Sequence, residues 1–95
     1  MRTVIWTSLA VRDVTEAFNY IATDSQAAAH RVRARIEKTA EELGQFATGR
    51  KSRMGTFVKF VPKAPYFISY RIRRVGGAET IRILRVIHTA RDFPR

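Results

Sequence analysis

The apolar pattern of this 95-residue chain changes period once, and that change narrows the folds open to it. As far as residue 46 apolar side chains recur three and four apart, the spacing of a helix lying on a core. From Thr56 onward they alternate, the spacing of a half-buried strand. Helices gathered in one block and strands in another predict an α+β domain, with a helical layer on one face of a sheet, rather than repeated βαβ units.

Local signals fill in the elements. Thr3 to Thr7 is β-branched and aromatic and predicts a first short strand, with Ser8 placed to cap the helix after it. That helix carries Val14, Ala17, Phe18, Ile21 and Ala22 on one stripe. Thr23-Asp24-Ser25 breaks the stripe, and Ser25 is a natural cap for a second helix that buries Ala28, Val32, Ile36, Thr39, Leu43 and Phe46. Arg31, Arg35, Lys38 and Glu42 fall on its other faces, and a break this short predicts an antiparallel helix hairpin. Trp6 and Phe18 are expected in the core.

Residues 47–55 read as a loop, leaving Arg50, Lys51 and Arg53 as solvated cations. Thr56 to Val61 predicts a strand that Pro62 ends, and Tyr66 to Arg73 alternates as a second, with Tyr66 and Tyr70 turned inward. Gly76-Gly77 predicts a tight hairpin turn. Thr80 to Ile87 is apolar on both faces at its centre, which leaves its register open and predicts a central strand covered on both sides. The order is β-α-α-β-β-β over a single domain, residues 1–95: a helix hairpin on one face of a small, mostly antiparallel sheet. The other face is then free for binding, and Lys59, Arg71 and Arg73 are expected on it.

Charge gives the first indication of function. The net charge is +10, and residues 1–48 contribute none of it, with six basic and six acidic side chains. Residues 49–95 set twelve basic side chains against Glu79 and Asp92. One face built for a polyanion or an acidic partner is the expectation. There is no cysteine, so thiolate metal sites, disulfides and cysteine nucleophiles are excluded. No metal or other cofactor is expected. No window approaches the roughly 20 apolar residues that cross a bilayer, and no leader pattern precedes Asp13 and Glu16, so no membrane partner and a cytoplasmic location are expected.

Several phrases resemble one known family. They are Phe18-Asn19-Tyr20-Ile21-Ala22, the run from Ala27 into Arg33-Ala34-Arg35-Ile36, the strand from Pro65-Tyr66 to Tyr70-Arg71, and above all Ile83-Leu84-Arg85-Val86-Ile87-His88-Thr89-Ala90-Arg91-Asp92. Together with the element order they are similar to the ParE branch of the ParE/RelE toxin superfamily. The resemblance implies the toxin of a bacterial type II toxin–antitoxin (plasmid stabilisation) system. Such a toxin is held in a hetero-oligomer by a cognate antitoxin, whose segment folds across the sheet and the helix hairpin. An acidic amphipathic segment suits a basic sheet, and Lys59, Arg71, Arg73 and Phe67 are its candidate contacts.

The target divides the superfamily. ParE-type members inhibit DNA gyrase, whereas RelE-type members cut messenger RNA on the ribosome. For target contact the candidates are Arg85, His88, Arg91, Arg73 and Lys59. For a nuclease they are His88, Arg71 and Arg91, with Lys59, Arg73, Arg82 and Arg85 as further cations and His88 as the one titrating group near neutrality in that half. The tail after Arg91 reads Asp-Phe-Pro-Arg, without the terminal Tyr or His common in RelE-type relatives, and this favours gyrase inhibition. Cleavage of message, or a relic that binds antitoxin and poisons nothing, are the alternatives. Short of a functional role, His88 is expected to bond backbone or Asp92, and Arg85 and Arg91 to pair with Asp92 or Glu79.

Overall fold

The computed structural model of the chain describes residues 2–46, 50–51 and 55–90. Strand β1 (Thr3–Trp6) leads into helix α1 (Ser8–Ala22), then helix α2 (Gln26–Leu43), then strands β2 (Arg50–Lys51), β3 (Phe57–Phe60), β4 (Tyr66–Val75) and β5 (Ala78–His88). The strands form one sheet in the order β1-β5-β4-β3-β2. Only the β1–β5 pair is parallel. The β-α-α-β-β-β order therefore holds for the principal elements. The two-residue β2 is an addition inside the stretch expected to be loop, paired through its backbone to Val58 and Phe57.

Helix starts follow from capping. The cap of α1 is Thr7, not Ser8, which is already helical. The Thr7 hydroxyl accepts from the Ala10 amide at 3.1 Å and donates to the Ile83 carbonyl at 2.9 Å, so one side chain starts α1 and ties it to the central strand. Ser25 caps α2 as expected, accepting from the Ala28 amide at 3.1 Å. That helix stops at Leu43, and Gly44 follows because a side chain there would meet the Arg2 carbonyl at 2.9 Å. Phe46, expected on the buried stripe, lies past this stop and is 67% exposed.

Both helices cover the same face of the sheet. Ala10, Val14 and Ala17 of α1 and Ile36, Ala40 and Leu43 of α2 meet Ile68, Tyr70, Ile81, Ile83 and Val86 in one cluster, with Trp6, Ile21 and Val32 half-buried against it. Phe18 is outside this cluster. It is half-buried between the helices, edge-on to His30 at 5.0 Å and beneath the Arg33 guanidinium at 4.8 Å. Tyr70 is fully buried and stacks on Phe57 at 5.3 Å, and that burial pushes its phenol above the usual tyrosine range.

A bulge resolves the register of β5. Tyr70 faces Ile83 and Ser69 faces Arg85, so Leu84 is the extra residue. Ile81 and Ile83 before the bulge and Val86 after it consequently share the helix-facing side. The parity change accounts for Val86 joining Ile83 on that side, while Ile87 falls on the other side, opposite the buried Phe67. At the other end Gly76 and Gly77, at φ +58° and +84°, make the two-residue turn, a pair of conformations that side chains resist.

Candidate functional site

Facing pairs on adjacent strands share a side of the sheet, so register sorts the cations. Arg71 lies directly opposite Arg82, and Arg73 opposite Thr80, all on the side away from the helices. Arg71, Arg73 and Arg82 are exposed, and Ile5 of β1, opposite Arg82, is 47% exposed beside them. Like charges facing each other across a ladder cost stability, and among the described residues no carboxylate bonds any of the three. Lys59 does not join them. It pairs with Ile68, which places it on the helix side, half-buried at the outer part of the sheet.

Phe67 shares the arginines' side but is completely buried, so it offers a partner no surface. The contact available at that end is Phe60, 47% exposed and 6.0 Å from the Phe67 ring.

Arg85 is held within the fold. Its Nε and Nη2 donate to the two Asp13 carboxylate oxygens at 2.8 and 3.2 Å. Asp13 also accepts from the Val86 amide at 2.9 Å. Strand β1 pairs with β5 only as far as Ile83, so beyond that point Asp13 supplies from α1 an acceptor that a strand would otherwise provide. Of the two partners expected for Arg85, Asp92 lies outside the described residues and Glu79 is engaged elsewhere. Glu79 bonds Arg2 and Arg74 instead, and Arg2 above all holds its carboxyl below the usual range.

His88 sits at the end of β5 opposite Tyr66, edge-on to that ring at 5.1 Å. Its Nδ1 accepts from the Ala90 amide at 3.1 Å, the backbone engagement expected of a strand-end imidazole, and in this arrangement the ring proton is on Nε2. With Asp13, Glu16 and Tyr20 it lines a polar groove between α1 and β5. Arg91, Asp92 and Arg53 lie outside the described residues, and of Arg50 and Lys51 only the backbone is described.

Of the residues named for a nuclease, His88 and Arg71 are therefore not brought together, and Arg91 lies outside the described residues. His88 is on the helix side, and Arg71 is on the opposite side five ladder positions away, about 17 Å along the strand. Two groups acting on one phosphate must both lie within hydrogen-bonding reach of it. Arg82, a sequence candidate only as a cation for a nuclease, completes the arginine cluster, and Asp13, which anchors Arg85, was not among the candidates. Among the described residues no group of His, Asp and Glu is placed to hold a metal ion, and no helix is long and apolar enough to cross a membrane.

Comparison with known proteins supplies context for this surface. Residues 4–93 match the family model described as the ParE toxin of the type II toxin–antitoxin system parDE. The chain is 36% identical over 92 residues to a protein of Sinorhizobium fredii named as toxin Y4kP, covering 95% of this chain and 91% of that one. It is 30% identical over 91 residues to Toxin RelE2 of Caulobacter vibrioides, covering 96% and 99%. A solved structure of the chromosomal ParDE toxin–antitoxin system from P. aeruginosa superposes with a TM-score of 0.80 at 22% identity, over 93% of this chain and 96% of that one.

Proposed function

The chain belongs to the ParE toxin family of type II toxin–antitoxin systems, and from that premise we propose that it poisons its target by surface contact, inhibiting DNA gyrase in the cytoplasm, in a plasmid-stabilisation type of system. The observation that carries this reading is the separation of His88 from Arg71 and Arg82 on opposite sides of the sheet. Cleavage of a phosphodiester by proton transfer needs base, acid and cations around one phosphate. Binding needs only a surface, and the paired arginines offer one at a cost in stability that a purely structural role leaves unexplained.

In this reading Arg71, Arg73 and Arg82 form the contact surface, and an acidic segment of the antitoxin silences the toxin by covering it. Charge pairing at this exposed face governs recognition and the rate of capture more than raw affinity. Arg85 serves the fold through Asp13 and contributes to function only by keeping β5 in place. Purified protein assayed side by side for inhibition of gyrase supercoiling and for ribosome-dependent cleavage of message separates the readings. The proposal expects the first activity and not the second.

A further inference from the structure

We infer that the antitoxin segment is of two electrostatic halves, with a part that is apolar and basic seated in the groove between α1, α2 and β1, in contrast to the acidic part that covers the arginine face. The inference rests on the reading of this chain as an antitoxin-bound toxin. The groove, of about 660 Å³, has Val4, Trp6, Val11 and Val14 along its apolar wall and Arg33, Glu37 and Glu41 on its α2 rim. Val11 is 50% exposed, an apolar surface that binding would remove from water.

The rim fixes the sign of the occupant. Glu37 and Glu41 stand one helical turn apart, a spacing at which like charges repel, and both are exposed. In a chain of net charge +10, Asp13 and Glu79 each bond arginines, yet among the described residues no cation bonds Glu37 or Glu41. Arg33, four residues before Glu37 and itself on the rim, lies over the Phe18 ring and bonds neither glutamate, so the rim sets two acids against one base. A net acidic rim with two carboxylates in no ion pair among the described residues, beside an apolar wall, fits a helix or strand with apolar side chains on one side and Lys or Arg on the other. Strand β1 is the sheet's terminal strand: its Val4 and Trp6 line the groove, while Ile5 lies next to Arg82 on the other side. A segment that crosses β1 passes from carboxylates to guanidinium groups, and its own charge must change sign on the way.

The test uses the full-length chain and two fluorescein-labelled synthetic peptides of about 16 residues. Both carry the same leucine stripe; one has lysines on its polar side and the other glutamates. Anisotropy titrations are run on the wild type, on Glu37→Gln/Glu41→Gln and on Arg71→Gln/Arg82→Gln. The lysine peptide is expected to bind, to weaken roughly five- to tenfold when the glutamates are neutralised, and to be insensitive to the arginine changes. Equal binding of both peptides, failure of the lysine peptide to bind, or its indifference to Glu37→Gln/Glu41→Gln would overturn the inference. So would a dimer of the chain that the same substitutions dissociate, which would seat a second copy in the groove. Growth arrest on induction, relieved by co-expressing the neighbouring gene, tests the toxin reading apart from the peptides. An absent arrest beside lysine-peptide binding in the groove removes the toxin premise and, with it, the assignment of the groove's occupant to an antitoxin.

Discussion

Replacing Asp13 by alanine removes the acceptor that holds the bulged end of β5, and the cost can be worked from its three bonds. Asp13 is only 11% exposed, whereas Arg85 is 44% exposed and can turn its guanidinium to water. Losing the ion pair itself is therefore a small effect, about 0.2–1 kcal/mol. The Val86 amide has no such escape: β1 has ended, and an unpaired N–H beside the core costs about 1–3 kcal/mol. Together these put Asp13→Ala at roughly 1–4 kcal/mol. That is a large share of the 5–15 kcal/mol typical of a domain and about 5–30 °C in Tm. Asp13→Asn keeps an acceptor for Val86 and should cost about half as much or less. Arg85→Ala should be milder than Asp13→Ala. Urea titration of the four proteins and of the double alanine variant gives both the ranking and the coupling energy. If Asp13→Ala shifts stability by less than ~0.5 kcal/mol, or Arg85→Ala costs more, the carboxylate is not the anchor described.

Ile36, fully buried between helix and sheet, should cost about 2–5 kcal/mol when replaced by alanine in the same titration. Glu79 has its carboxyl held low by Arg2, so its stabilising effect is present above the usual carboxylate range and is lost as pH falls through its folded value. Glu79→Gln should therefore flatten the acid limb of a stability–pH curve, and an unchanged limb would count against that coupling. Arg71→Glu should place opposite charges across the ladder and raise stability by about 0.2–1 kcal/mol, a gain that thermal melts can check.

Much of the architecture was legible because periodicity reports directly on burial. The helix stripes centred on Val14, Ala17, Ile36 and Leu43, the break at Thr23–Ser25, the hairpin at Gly76-Gly77 and the placing of both helices on one face of the sheet all follow from pattern and capping chemistry. Phe46 was misplaced because a continuing stripe hides the helix stop, which depends on Gly44 fitting against the Arg2 carbonyl. Lys59 was put on the wrong side because a short strand before a proline does not reveal which of its alternating positions faces the helices. The pairing of Arg82 with Arg71 could have been read, since counting back symmetrically from a two-residue turn sets the two opposite each other. Asp13 could not: its partners, Arg85 and Val86, are more than 70 residues away in sequence, and only the packing of α1 beside the end of β1 joins them. The family, by contrast, was carried by short phrases along nearly the whole chain, and residues 4–93 match its model.

The claim that this toxin acts by contact rather than by proton transfer is tested most directly by inducing two single variants beside the wild type and following growth, with each purified protein assayed for inhibition of supercoiling. His88→Gln keeps the size and hydrogen-bonding tip of the side chain and should still arrest growth and inhibit gyrase. Arg71→Glu, at least as stable as the wild type, should lose most of both activities. Loss of toxicity in His88→Gln with Arg71→Glu still toxic, gyrase untouched and message cleaved on the ribosome would contradict it.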